Sequence, residues 1–237
     1  MSNKSFFSNS EICLTSVSTF SGFCFSFLIS FIFSIFSSGN GIASCFSFLT
    51  ALNIKQCVLA GNSLGGEIAW NFTLEQPGMV TKLILIDAAG YPLYSKSVPI
   101  AFRLAKAPVI NKLLTFITPR FLVRSSVENV YFDSSKVTDL VVERYFELTL
   151  RAGNRKAFID RFHMIKNASA YTNIKYIEQP TLLLWGAEDL LIPVENAHKF
   201  HKNLPTSTLV ILEHTGHTPM EESPLKSLAP VLDFLMR

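Results

Sequence analysis

Charge is missing from a long stretch of this chain: between Ile12 and Ile54 there is no Asp, Glu, Lys, Arg or His. Proline is absent before Pro77 and histidine before His163. The charge gap excludes the usual amphipathic, solvated surface over that stretch, and two compositional regimes meet near residue 45. Cysteine is scarce. Cys13, Cys24, Cys45 and Cys57 show neither CxxC nor zinc spacing, which argues against a disulfide framework or a metal site and leaves buried thiols. No surplus of one charge exists, since 21 Lys and Arg face 18 Asp and Glu. The net +3 excludes the footprint of a nucleic-acid binder and gives no sign of an acidic partner. A length of 237 residues suits one domain with an insertion.

What is present is organised around Val58-Leu-Ala-Gly-Asn-Ser-Leu-Gly-Gly66. An apolar run ends in Gly61-Asn62-Ser63-Leu64-Gly65, followed by Gly66, and Glu67-Ile-Ala-Trp-Asn-Phe72 starts a helical pattern. This is the strand–turn–helix context of a nucleophile elbow. So tight a turn needs glycine at its flanks, because a Cβ there would strike the neighbouring backbone. It pushes the Ser63 hydroxyl out beyond a strand, where free N–H groups of the next helix also point.

Ahead of the elbow, Phe20 to Ser37 is a Phe/Ser run that supports three readings. As a helix its 18 uncharged residues just span a bilayer, with Gly22, Ser26, Ser30, Ser34 and Ser38 on one small-residue face. As a strand, alternate residues from Phe23 to Ile35 share one face. As a secretory signal, it follows the weak positive end at Lys4 but has no clean small-residue cleavage site. Length and lack of charge favour a membrane-inserting helix over residues 20–37, which leaves location open between cytoplasmic and membrane-associated.

The remainder alternates between sheet and helix signals. A short helix over Phe46–Ile54 precedes a strand over Gln56–Ala60, and the elbow helix is expected to stop before Pro77-Gly78. Lys82–Asp87 is a strand with an all-apolar centre, as in a parallel sheet covered on both faces. Residues 91–175 show amphipathic helical patterns (Val98–Ile117, Lys136–Arg151, Arg155–Ile165) and no strand signal, as an inserted helical layer would. Strands resume at Thr181–Trp185 and Ser207–Leu212, and a last helix covers Ser227–Met236. The expected organisation is an apolar segment over 1–45, a core of 46–90 with 176–237, and a cap of 91–175.

Two loops beyond strands carry the groups that Ser63 would need. Asp189 follows one strand and His217 the next, and a parallel sheet brings all strand carboxyl ends to one edge. A serine hydroxyl becomes a nucleophile when a base takes its proton, and imidazole titrates near working pH. A carboxylate orients that base. Asp87, at another strand end, is a second candidate acid. Glu188 is expected to point away, His214 to be a solvated loop residue, and His163, His198 and His201 to lie on surface or cap helices. Trp185 is expected in the core.

These residues resemble the α/β-hydrolase superfamily. Gly61-Asn-Ser-Leu-Gly-Gly66 looks like its nucleophile elbow, Gly186-x-x-Asp189-x-x-x-Pro193 like its acid loop, and Gly216-His217-x-x-x-x-Glu222-x-Pro224 like its histidine loop. The resemblance covers residues 46–237. It implies an α/β fold with a mostly parallel sheet, N-terminally incomplete, roofed by a helical cap. It also implies a serine hydrolase cleaving an ester, or a C–C bond beside a carbonyl, with Ser63 as nucleophile, His217 as base, Asp189 as acid and the Leu64 N–H in the oxyanion hole. No cofactor or metal is implied, and the cap's apolar residues (Phe102, Leu104, Ile110, Leu113, Leu114, Phe116) suggest a small apolar ester as substrate. The chain departs from the family upstream, where strands and a His-Gly loop supplying the other oxyanion donor are expected. Gly39-Asn40-Gly41 is the replacement on offer. The rival expectation is a truncated or frame-altered relative, impaired in catalysis, whose elbow strand forms a bare sheet edge unless the segment before it covers that flank.

Overall fold

The computed structural model describes residues 41–92, 94–162 and 170–237, and the backbone of residues 11–14. The Phe/Ser run, with its candidate membrane helix, lies outside the described residues. Among the described residues no helix is long and apolar enough to cross a membrane.

Among the described residues five parallel strands form one sheet in sequential order: β1 (Glu11–Leu14), β2 (Cys57–Asn62), β3 (Val80–Ile86), β4 (Thr181–Gly186) and β5 (Ser207–Leu212). The centre of β2, β3 and β4 is apolar at consecutive positions, and period two sends alternate residues to opposite faces. Leu59, Leu83, Leu85, Leu183 and Trp185 join one buried cluster, whereas Val58, Ala60, Ile84, Ile86, Leu182 and Leu184 join another. Helices α1 (Gly41–Ala51), α2 (Leu64–Glu75) and α8 (Glu195–Asn203) contribute Leu49, Trp70, Phe72 and Phe200 to the first. After the short α9 (Pro219–Glu222), helix α10 (Pro224–Met236) contributes Phe234 to the second.

The elbow strand is not an edge. Glu11–Leu14 runs parallel to it, from Glu11 opposite Cys57 to Leu14 opposite Ala60. That covers the backbone groups that would otherwise face solvent. Helix α1 begins at Gly41, ahead of the expected Phe46 start. The small residues Ala43 and Ser44 let the helix extend backwards without an apolar stripe, so periodicity alone undercounts it.

The inserted layer between β3 and β4 contains α3 (Ile100–Lys106), α4 (Ile110–Leu114), α5 (Arg120–Val130), α6 (Asp139–Leu150) and α7 (Asn154–Asp160). One amphipathic pattern, Val98–Ile117, is split in two at Pro108, which breaks the helical ladder. Pro119 then sits at the N-cap of α5, a helix the sequence patterns pass over.

Candidate active site

Gly61 can only be glycine: a Cβ there would lie 2.2 Å from the Gly65 carbonyl oxygen. The chain turns through Ser63 with φ 54° and ψ −119°, a left-handed conformation that a side chain adopts at a cost. Neighbours hold it there. The Ser63 N–H donates to the Ile86 carbonyl (2.9 Å), and the Ala89 N–H donates to the Ser63 carbonyl (2.9 Å). Leu64 is the first residue of α2, so its N–H has no carbonyl one turn back within the helix. Asn62 links the elbow to the histidine loop, its amide donating to the carbonyls of Ile86 and His217 (3.1 Å each).

His217 is 5% exposed, with its Nδ1 2.7 Å from Asp189 Oδ2. A carboxylate acceptor requires the proton on Nδ1, which leaves the Nε2 lone pair available as a base. Asp189 is fixed in turn, because its other oxygen accepts from the N–H groups of Leu191 (2.8 Å) and Ile192 (2.9 Å). The two loops are in direct contact. A Cβ on Gly186 would sit 2.1 Å from the Gly216 carbonyl oxygen, so glycine is required where acid loop and histidine loop cross.

Asp87 lies beside this pair. It is fully buried at φ 42°, and one carboxyl oxygen, an Asp189 oxygen and a His217 ring nitrogen all lie within 4.8 Å of one another. Its Oδ1 accepts from the Gly186 N–H (2.9 Å), and its carboxyl faces the side chain of Asp189. Burial, and then the negative charge of Asp189, hold its carboxyl well above the ordinary carboxylate range.

Over the elbow lies a cavity of about 410 Å³, lined by Asn62, Ser63, Leu64, Gly65 and His217 below and by cap residues such as Phe102, Leu122, Val127 and Phe158 above. The cap is pinned to the histidine loop by two adjacent acids. The Glu221 side chain, 4% exposed, accepts from Tyr131 Oη (2.9 Å), Tyr145 Oη (2.9 Å) and Arg144 Nη2 (2.6 Å). Glu222 accepts from the backbone N–H groups of Phe132, Asp133 and Gly216. Burial and the adjoining carboxylate push the phenols of Tyr131 and Tyr145 up, so both remain proton donors to Glu221.

Residues 44–224 match the family model described as serine aminopeptidase, S33. The chain belongs to this family of α/β-hydrolases. Among its relatives is an uncharacterised hydrolase, YugF, of Bacillus subtilis, 28% identical over 187 residues that make up 79% of this chain and 68% of the other. Another is the monoacylglycerol lipase ABHD6 of Bos taurus, 26% identical over 188 residues, 78% of this chain and 56% of the lipase. The chain thus spans between about half and two thirds of these two proteins' lengths. The fold is also that of a meta-cleavage product hydrolase from Pseudomonas fluorescens IP01, with TM-score 0.69 at 19% identity, over 83% of this chain and 71% of that one.

Within this α/β-hydrolase the sequence expectations fare unevenly. Asp189 and His217 are hydrogen-bonded to each other, and both Ser63 and His217 line the cavity. Glu188 points away as expected, accepting from the Thr215 N–H (2.9 Å). His214 is exposed, and His198 and His201 are exposed on α8, a core helix and not part of the cap. Trp185 is buried and donates to the Ile192 carbonyl. His163, Gly39 and Asn40 lie outside the described residues, and Gly41 is the first residue of α1. Of the apolar cap residues, Phe102 and Leu114 face the cavity, but Ile110, Leu113 and Phe116 are exposed. The short helix α4 has room to bury only one side. Their place is taken by Leu122, Val123 and Val127 of α5, whose spacing marks one helical face. Glu221 was not singled out in the sequence; its only signal is its place beside Glu222 in the histidine loop.

Proposed function

We propose that this α/β-hydrolase cleaves carboxylic esters through Ser63, His217 and Asp189. The observation carrying this reading is the 2.7 Å contact between His217 Nδ1 and Asp189 in a buried loop pair whose imidazole shares one cavity with Ser63. His217 Nε2 takes the Ser63 proton as Oγ bonds to the ester carbonyl carbon. The negative charge passes to the carbonyl oxygen, to which the Leu64 N–H donates with the help of the α2 dipole. As the C–O bond breaks, the imidazolium returns its proton to the leaving alcohol. Water then repeats the sequence on the acyl-serine, releasing the acid and restoring Ser63. Asp189 keeps the proton on Nδ1 and stabilises the imidazolium. The apolar cavity wall suits an acyl or alkyl chain of modest size, in keeping with the lipase among the relatives.

The test is release of 4-nitrophenol from short-chain 4-nitrophenyl esters by the wild-type chain and by Ser63→Ala. The expected result is turnover that falls by a factor on the order of 10³ or more in the variant. Equal rates for folded samples of both would refute the assignment.

A further inference from the structure

Four charged side chains line the catalytic cavity beside His217: Arg144, Arg155, Arg161 and Glu221. Their signs do not balance. Arg144 is paired with Glu221 at 2.6 Å, and Arg155 donates to the Phe116 carbonyl. Among the described residues Arg161, at the end of α7, has no such partner. Its guanidinium carbon stands 5.7 Å from the ring centroids of both Phe102 and Phe162. Among the described residues no carboxylate lies within the 4.0 Å of an ion pair, and Glu67 acts on it only from farther away. Nor does the rest of the chain hold a carboxylate in reserve, because residues 1–10, 15–40, 93 and 163–169 contain no Asp or Glu. Glu11 opens β1 opposite Cys57, at the other end of the strands from the elbow.

A guanidinium taken out of water is costly unless a counter-charge replaces its hydration. Desolvation accordingly pulls the Arg161 guanidinium below its ordinary value. Facing aromatic rings recover part of that cost, and among the described residues no hydrogen-bond acceptor meets the in-plane N–H donors. Such a fork matches a carboxylate or phosphate edge. An apolar cavity with a surplus of positive charge selects a substrate that is apolar along its length and anionic at one point.

We propose that Arg161 is an anion-recognising subsite, and that this chain's substrates are esters bearing a carboxylate or comparable anion in addition to the scissile bond. This deepens the ester reading above and rests on it for the choice of substrate. Arg161 acts here by binding; Ser63, His217 and Asp189 retain the chemistry.

Two matched pairs of esters test it. In the first the charge is on the acyl side: the mono-4-nitrophenyl ester of glutaric acid against 4-nitrophenyl pentanoate. In the second it is on the alcohol side: 4-carboxyphenyl butyrate against phenyl butyrate. Binding is measured by calorimetry on Ser63→Ala, which separates recognition from turnover, and kcat/KM is measured on the chain with Ser63 intact. In at least one pair the anionic ester should bind better than its neutral match. Arg161→Met should cut that anionic-to-neutral ratio about tenfold or more, the usual worth of a charged hydrogen bond, and Arg161→Lys should keep most of it. Equal ratios with arginine and with methionine in both pairs would overturn the subsite. Binding selectivity lost with methionine but unaccompanied by any esterase activity would support the subsite and refute the ester mechanism. An Arg161→Met protein that fails to fold leaves the lysine variant and the wild-type ratio to decide, and a wild-type ratio of one or less in both pairs contradicts the proposal.

Discussion

At the scale of single residues the site depends on which carboxyl holds a proton. In the proposed mechanism Asp189 needs its charge to orient His217, and replacing it by asparagine would offer an amide N–H where Nδ1 requires an acceptor. Asp189→Asn should lower kcat about 10⁴-fold while leaving the fold intact, read by ester kinetics beside circular dichroism. Asp87 is the opposite case. Its raised pKa means that the folded chain keeps a proton that the unfolded chain releases as pH climbs above the ordinary value of 3.8. Its contribution to stability is therefore fully present at acid pH and shrinks as pH rises towards the shifted value. Asp87→Asn has no proton to lose and retains an acceptor for the Gly186 N–H. Its melting temperature should gain on wild type from pH 5 to pH 8, and a gap that is flat or reversed would show Asp87 to be ionised.

At the scale of elements, the contacts that matter join loop to loop and cap to core. Glu221 gathers three donors, one from the C-cap of α5 and two from α6, so the cap is anchored within the cavity wall. Glu221→Ala would leave Arg144 and two phenol hydroxyls without their acceptor. It should cost at least about 2 kcal/mol in urea unfolding, given about 1–3 kcal/mol per buried group left unsatisfied. Arg144 is 35% exposed, which keeps the figure at the lower end. Gly186→Ala should be worse, since its Cβ meets backbone that cannot rotate away. Much of this arrangement was legible in the sequence. The elbow, acid loop and histidine loop are local signals in which glycine spacing, apolar strands and chemistry agree, so β2 to β5 and their loops fell where expected. Helix α5 was not, because Pro119 and the mixed run after it hide the stripe that Leu122, Val123, Val127 and Val130 carry. The outward turn of Ile110, Leu113 and Phe116 was illegible for a related reason: hydrophobicity says that a residue can be buried, not against which partner.

At the scale of the molecule, what the sequence obscured is how the sheet closes on its first flank. Four residues, Glu11–Leu14, have too few positions to show a period, yet they cover the strand that leads into Ser63. Removing residues 1–14 should expose the β2 edge and yield aggregates detectable by light scattering, whereas a chain that stays dispersed and active without them would show the flank to be dispensable. The parallel sheet gives the molecule a single working edge, to which β2, β3, β4 and β5 deliver Ser63, Asp87, Asp189 and His217 in turn. Reaction of the folded chain with a fluorophosphonate, followed by mass spectrometry of its peptides, tests that convergence most directly. The account predicts one phosphonyl adduct on Ser63, absent from Ser63→Ala and much slower to form in His217→Ala. A folded chain that takes no label at Ser63, or takes it equally fast without His217, would contradict it.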